Sequence, residues 1–170
     1  LQTPYDCGYA IVRHREAHIR AMQIAASYLP GASDAAHNPS DYAPELSRRA
    51  RGFATWALIR HFGRKRIAEM ITRHCACARR FAERLAADAG VEILNDVALN
   101  QVAVRFGNGE QTKAVIARIQ AGGVTFVGGA QWRDHWIMRI SVSSETTTEA
   151  DVDRSVEAML EAWRVVRGRN

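Results

Sequence analysis

Two residues of this sequence combine a reactive side chain with surroundings that favour a functional role. Tyr28, in SYLPG, stands at the mouth of a turn-rich connection that runs to Pro44. Loops of that length inside compact domains are commonly lids or binding segments, although a tyrosine this close to a proline is also a common packing residue. Arg139, in WIMRISVSS, interrupts an apolar run, and burial would oblige it to pair with a carboxylate of the protein or of a ligand.

Other reactive side chains fit specific chemistry less well. His74, Cys75 and Cys77 form HCAC on a predicted helix, where adjacent residues point to different faces and no second ligand pair follows at zinc spacing. We therefore interpret the cysteines as small buried or half-buried thiols. Serine and histidine occur without a G-x-S-x-G elbow, and GGVTFVGG lacks the spacing of a phosphate loop, so its glycines are predicted to shape the ends of a strand.

The basic residues raise nucleic acid as a partner. The net charge is +5, and one stretch, SRRARGFATWALIRHFGRKR, combines many arginines with aromatic residues. On a helix these cations spread over several faces, while Phe53, Trp56 and Phe62 fall where a core stripe would lie. Solvated faces with carboxylate partners are the favoured interpretation. A stand-alone basic interaction or nucleic-acid-binding module remains the alternative.

The first half of the chain is predicted to contain one strand and helices. Residues 9–12 form a short apolar run typical of a buried strand, and residues 16–27 have helical spacing. Pro44 suits the first position of a helix over 44–62 that Gly63 closes. The next helix has the clearest periodicity of the sequence and is ended by Gly90. Its apolar face carries Ile67, Ile71, His74, Ala78, Phe81 and Leu85.

The second half of the chain is predicted to contain more strands than the first half. Residues 91–94, 101–106, 124–127 and 136–142 are predicted strands, and residues 111–120 are a predicted helix. A last helix begins at Thr148, with Asp151 completing a capping box. The order β-β-α-β-β-α predicts an α+β unit with two helices over one face of a small sheet. We therefore place a domain boundary near Gly90, between domains 1–90 and 91–170.

The beginning of the sequence is unusual. It starts without Met, and a turn-forming segment leads directly into the apolar run at 9–12, for which the first half offers no partner strand. The expectation is that residues upstream of Leu1 belong to the same fold. No apolar run approaches the roughly 20 residues of a membrane span. Together with an odd number of cysteines, this predicts a soluble, cytoplasmic protein.

Several segments in order resemble one enzyme family. They are LQTPYDCGYAIVR, SYLPG, ELSRRARGFATWALIRHFG, ILNDVALNQVAVRF and MRISVSSETTTEADVDRSVEAM. The chain resembles the C-terminal part of the pyridoxal-phosphate-dependent group II amino acid decarboxylases, which include the aromatic amino acid, glutamate and diaminobutyrate decarboxylases. The most specific piece is R-R-x-R followed by Trp56. The resemblance implies an α/β chain, α+β in its C-terminal half, from the aminotransferase-like fold of pyridoxal-phosphate enzymes.

The resemblance also implies roles for particular residues. Tyr28 matches the loop tyrosine that closes over the site and delivers a proton to the substrate carbon, and it is the expected catalytic residue. Tyr5 would line the substrate pocket, and Ser47, where relatives often have Gly, would approach the substrate near a dimer seam. Arg139 matches the position where related aminotransferases hold a carboxylate, so a structural or modified role is expected in a decarboxylase.

The cofactor lysine is not among these residues. In the family it lies in a His-Lys-Trp-type motif followed by residues like LQTPYDCG, which places it upstream of Leu1. Lys65 and Lys113 fall on polar helix faces and are poor replacements, because the Schiff base requires an activated amine. The sequence therefore predicts a fragment of a homodimeric carboxy-lyase, inactive by itself, acting on an amino acid substrate with no nucleic acid and no membrane involved. Assembly with a separately encoded N-terminal half would restore a full enzyme.

Overall fold

The computed structural model describes residues 2–3, 6–23 and 38–168. Its helices are α1 (Arg15–Met22), a 3-10 helix (Pro39–Tyr42), α2 (Arg51–Ala86), α3 (Gly109–Gly122) and α4 (Glu149–Arg167). Its strands are β1 (Val91–Ile93), β2 (Gln101–Phe106), β3 (Gly128–Trp132) and β4 (His135–Ser141). The chain divides into two compact units, an N-terminal one over Thr3–Leu58 and a C-terminal one over Ile59–Asn170 with Leu1–Gln2.

The C-terminal unit is built on an antiparallel four-stranded sheet with the strand order β1-β2-β4-β3. Successive side chains of β2 and β4 point to opposite faces of the sheet, so every second residue faces the core. In this buried set, Val102 lies opposite Ile140 and Val104 opposite Met138. These four side chains are at most 5% exposed. The intervening residues, including Arg139, lie on the other face of the sheet.

Three helices complete the core with one face of the sheet. Their buried side chains cluster with those of the strands, and the helical members include Cys77, Phe81 and Leu85 of α2, Val115 and Ile119 of α3, and Val156, Met159 and Trp163 of α4. The second part of α2 therefore packs with the sheet in the same compact unit. The domain boundary near Gly90 stays a prediction about the longer fold.

Helix caps fix where α3 and α4 begin. The predicted capping box of α4 is confirmed: the Asp151 amide donates to Thr148 Oγ1 at 3.3 Å, and Asp151 Oδ2 accepts from the Thr148 amide at 3.0 Å. An equivalent box joins Asn108 and Gln111 at the start of α3. Each box satisfies backbone donors that the first helical turn leaves free.

The apolar run at 9–12 forms no strand in the structure, so that prediction was wrong for this chain. Ile11 is 98% exposed, and Tyr9 and Val12 are also exposed. A buried strand needs neighbours on both edges, and the N-terminal unit contains no strand among its described residues. Residues 9–12 consequently belong to no helix or strand that the structure describes.

The start of α2 differs from the prediction as well. The helix begins at Arg51 rather than Pro44. Arg49, just before the helix, and Arg51, its first residue, both form ion pairs with Asp6. The expected break at Gly63 is confirmed: its φ of 67° and ψ of 171° are not helical, so α2 consists of two helical segments that meet at a kink. Glycine alone adopts this conformation without strain.

The third strand lies at Gly128–Trp132, not at 124–127. Arg133 and Asp134 both have positive φ, 46° and 64°, and form the two-residue turn of a hairpin. That turn fixes the pairing of Trp132 with His135, and thereby the register of the whole β3–β4 ladder. The strand was predicted at 124–127 because VTFV is apolar, but these residues precede the strand.

An ion network joins α2 to α4. Arg80 binds both carboxylate oxygens of Asp153, at 2.7 and 2.8 Å, and Arg84 lies 2.5 Å from Asp153 Oδ1. The hydrogen bonds from Arg80, followed by those from Arg84, hold the pKa of Asp153 well below its usual range. The network therefore favours the folded state only while this carboxylate is ionised.

Asp153→Asn is expected to change how stability depends on pH. Because the folded pKa is depressed, the contribution of Asp153 is fully present above its unfolded pKa of about 3.9 and is lost as the pH falls below it. The urea midpoint of the variant should consequently decrease less than that of the parent chain between neutral and acidic pH. Glu157→Gln is the matched control, since Glu157 lies 4.0 Å from Arg84 and is largely exposed. Parallel pH profiles for the parent chain and Asp153→Asn would contradict this role.

Candidate active site

Two helices of the N-terminal unit flank the segment that carries Tyr28. Arg15 Nε of α1 donates to Tyr42 Oη of the 3-10 helix at 2.7 Å, and its guanidinium lies 5.7 Å from the centre of the same ring. His18 meets that ring edge-on at 5.7 Å. Asn38 caps the 3-10 helix by accepting from the Ser40 amide. The backbone on the two sides of residues 24–37 is therefore held together.

The R-R-x-R motif pairs with the first residues of the chain. Asp6 Oδ2 accepts from Arg49 Nη1 at 3.2 Å and from Arg51 Nε at 3.3 Å. The Cys7 thiol lies 3.3 Å from Tyr9 Oη, and this hydrogen bond raises the pKa of the Tyr9 phenol. These contacts fix residues 6–9 beside the start of α2.

One of the three expected site residues can be placed. Ser47 lies in a bend between the 3-10 helix and α2, and its exposed side chain has no hydrogen-bond partner within the described residues. Tyr5 and Tyr28 lie outside the described residues. The roles of these three residues therefore stay predictions.

The two lysines of the sequence do not fit a Schiff-base site. Lys65 is 89% exposed and lies 3.8 Å from Glu69, and Lys113 binds Glu110 at 2.7 Å. The Lys113 ammonium also lies 5.0 Å from the centre of the Trp136 ring. Each ammonium group lies beside a surface carboxylate, which is the arrangement of a structural ion pair, whereas a Schiff base requires an activated amine.

Arg139 is exposed, which corrects the expectation of a buried, paired arginine. It lies on the sheet face opposite the helices, with Ala103 and Gly128 as its cross-strand neighbours. Within the described residues its side chain makes no ion pair. Because alternate residues of β4 face opposite sides, an apolar sequence on both flanks did not require Arg139 to be buried.

The remaining reactive side chains have structural partners. His74 Nε2 lies 2.9 Å from the Ser144 carbonyl oxygen, Cys77 is buried, and Cys75 is half-buried, as interpreted from the sequence. Arg48 contacts the Glu45 carbonyl oxygen, so with Arg49 and Arg51 every arginine of the motif lies against an acceptor. Among the described helices, none is long and apolar enough to cross a membrane.

Comparison with known proteins identifies the family. The sequence model of one protein family, described as the pyridoxal-dependent decarboxylase conserved domain, matches residues 1–107 of the chain. The chain belongs to the pyridoxal-dependent decarboxylase family. The match includes the motif around Arg48 and the segments of Tyr5, Tyr28 and Ser47, and it confirms the resemblance found in the sequence.

Curated relatives of this chain are considerably longer. It is 26% identical to the aromatic-L-amino-acid decarboxylase of Drosophila lebanonensis, a match covering 89% of this chain and 38% of the relative. It is also 26% identical to the 4-hydroxyphenylacetaldehyde synthase of Rhodiola rosea, covering 98% of this chain and 34% of the relative. The chain thus spans about a third of the length of these relatives.

Solved structures confirm the fold. TDC from Oryza sativa, solved with PLP and tryptamine, superposes with a TM-score of 0.78 at 18% identity, covering 86% of this chain and 33% of that one. The Rhodiola rosea 4-hydroxyphenylacetaldehyde synthase gives a TM-score of 0.67 at 26% identity, covering 74% of this chain and 28% of that one. The chain therefore has the mixed helix and sheet fold expected for the C-terminal portion of the aminotransferase-like fold.

Sequence reasoning missed the contacts that organise this region. Asp6 was not singled out, although three closely spaced arginines indicate a need for a nearby carboxylate. Arg15 and Tyr42 were missed because they are 27 positions apart and no local pattern connects them.

Proposed function

We propose that this chain is the C-terminal part of a pyridoxal-phosphate-dependent amino acid decarboxylase whose Schiff-base lysine comes from polypeptide outside these 170 residues. The match of the family model to residues 1–107 carries the proposal. The environments of Lys65 and Lys113 support it, since each lies in a surface ion pair. That lysine belongs to a longer form of this chain or to a separate chain. Pyridoxal phosphate, when bound there, stores the electrons released as the carboxylate leaves.

In the proposed assembly this chain supplies residues that act on the substrate. Tyr28 delivers a proton to the substrate carbon that has lost its carboxylate, and Tyr5 and Ser47 contact the substrate. The contacts of Arg15 and His18 with Tyr42 join the described residues that precede and follow the segment bearing Tyr28. The names of the relatives, among them aromatic-L-amino-acid decarboxylase and histidine decarboxylase, support a substrate with an aromatic ring.

We also propose that the full enzyme is a cytoplasmic homodimer. Phe53 and Trp56 of α2 are 67% and 57% exposed, which is unusual for neighbouring aromatic residues unless another surface covers them. All three cysteines are free thiols, in keeping with a reducing compartment. Sedimentation velocity of the lysine-bearing enzyme tests the dimer, and a monomer at micromolar concentration would count against it.

Borohydride trapping tests the central proposal. The 170-residue chain is incubated with pyridoxal phosphate, reduced, and digested for mass spectrometry, with Lys65→Arg and Lys113→Arg as matched variants. We expect only low, unselective labelling at the two lysines and no release of carbon dioxide from amino acids. Stoichiometric labelling of one lysine, lost in its arginine variant and accompanied by turnover, would overturn the proposal. Reading the coding region before the Leu1 codon for an in-frame His-Lys-Trp motif is an independent test.

A further inference from the structure

The C-terminal unit contains a cavity of about 240 Å³ beside the first turns of α4. Its floor includes Phe81, Ile140, Val152 and Met159, all at most 5% exposed. The cavity is partly open to solvent, and its accessible lining is more polar than apolar. For comparison of size, a closed apolar cavity of about 150 Å³ holds benzene. The volume is therefore sufficient for one aromatic or branched aliphatic side chain.

The loop between α3 and β3 forms one wall of this cavity. Phe126 is 81% exposed and Val124 is 56% exposed, although both line the cavity. Val127, next to them, is buried, and its carbonyl oxygen accepts from Gln120 Nε2 at 2.8 Å. The loop thus holds two large apolar side chains at the opening, where an incoming apolar group would cover them.

A pair of opposite charges lies at the same opening. Arg154 Nη2 donates to Asp151 Oδ1 at 2.5 Å, and both residues line the cavity. Asp151 Oδ2 is occupied by the Thr148 amide and hydroxyl, which leaves Oδ1 as the oxygen that a ligand can reach. The Thr148 hydrogen bonds, and then Arg154, lower the pKa of Asp151, so the carboxylate is charged at neutral pH. The two side chains are 41% and 71% exposed and therefore accessible to a solute.

The opposite charges of Asp151 and Arg154 favour a ligand that carries both a positive and a negative group. A ligand with only an amine would bind Asp151 and leave the Arg154 guanidinium without its partner. A ligand with only a carboxylate would bind Arg154 and leave Asp151 without its partner. A molecule that carries both groups on one carbon would replace one ion pair by two while its side chain enters the cavity. We propose that this cavity binds a free α-amino acid with an aromatic or branched apolar side chain, its ammonium on Asp151 and its carboxylate on Arg154.

This site requires neither pyridoxal phosphate nor a Schiff-base lysine. It consequently does not rest on the proposed decarboxylase activity, and each proposal can fail without the other. Binding is measured on the 170-residue chain without cofactor, by calorimetry and by amide chemical shifts. The probes are L-phenylalanine, 2-phenylethylamine, 3-phenylpropanoate and glycine.

L-phenylalanine is expected to bind saturably and to shift amides of residues 124–127 and 151–155. The singly charged probes should bind about two- to fivefold more weakly, the range for one exposed ion pair. Glycine should bind at least about tenfold more weakly, because it buries no ring. Absence of saturable L-phenylalanine binding, or shifts confined to another region, would overturn the proposal.

Arg154→Gln and Glu157→Gln form a matched pair of variants on α4. Arg154→Gln leaves the Thr148–Asp151 capping box intact, and it should reduce L-phenylalanine affinity to that of 2-phenylethylamine. Glu157 does not line the cavity, so Glu157→Gln should bind like the parent chain. If Arg154→Gln, verified as folded by circular dichroism, retained the preference for the zwitterion, the assigned role of Arg154 and with it the proposal would be wrong.

Discussion

Replacing Gly90 with alanine is expected to lower the free energy of unfolding of the C-terminal unit by about 3 kcal/mol. The estimate adds roughly 1–3 kcal/mol for overpacking to roughly 1–2 kcal/mol for a side chain in left-handed backbone. Gly90 has φ 83°, and a Cβ there would lie 2.7 Å from Trp163 Cζ2. Trp163 is 2% exposed, and its indole Nε1 donates to the Ala89 carbonyl oxygen at 3.0 Å. The ring therefore cannot retreat without losing that hydrogen bond.

Gly123→Ala is the control for this prediction. Gly123 also has positive φ, 68°, but no atom lies within 4 Å of the position that its Cβ would take. Its substitution should cost only about 1–2 kcal/mol. Urea denaturation followed by tryptophan fluorescence measures both variants. Equal destabilisation would show that the contact with Trp163 does not constrain residue 90.

Tyr28→Phe, made in the lysine-bearing form of the enzyme, is expected to reduce amine formation by about 100-fold or more. A positioned general acid contributes about 10²–10⁴-fold, and phenylalanine preserves the ring while removing the proton. KM should change little, because the ring contacts remain. Steady-state kinetics of amine release measures the effect.

Ser47→Ala is the matched control for Tyr28→Phe, because it also removes one hydroxyl from an expected site residue. We expect a change of a few-fold at most, since a single neutral hydrogen bond contributes about 0.5–1.5 kcal/mol. Undiminished amine release by Tyr28→Phe would remove Tyr28 from its catalytic role. If Ser47→Ala lost more of the rate of amine release than Tyr28→Phe, Ser47 would be the better candidate for the proton donor.

The C-terminal unit could be predicted from sequence because its signals are local. Alternation in β2 and β4, helical spacing in α3 and α4, and the Thr148–Asp151 pair are all encoded within a few residues. The position of β3 could not be predicted in this way. It depends on a turn at Arg133–Asp134, two residues that seldom adopt positive φ, and on pairing with β4.

The N-terminal unit was predicted less well because its structure depends on distant partners. Asp6, which pairs with Arg49 and Arg51 at the start of α2, lies more than forty positions away from both. In the C-terminal unit, the exposure of Arg139 likewise depends on distant residues, because it is set by which face of the sheet the helices cover. The candidate site was reached through family resemblance rather than through spacing, and Tyr5 and Tyr28 lie outside the described residues.

The apolar segment at 9–12 has a consequence for the chain inside a cell. Apolar backbone that joins no strand within the described part of the chain can recruit extended peptides, which makes it a template for aggregation. Ile11, almost fully exposed, is the kind of side chain that chaperones and proteases recognise. In the assembly proposed above, a surface that covers residues 9–12 would therefore protect the chain from aggregation and proteolysis.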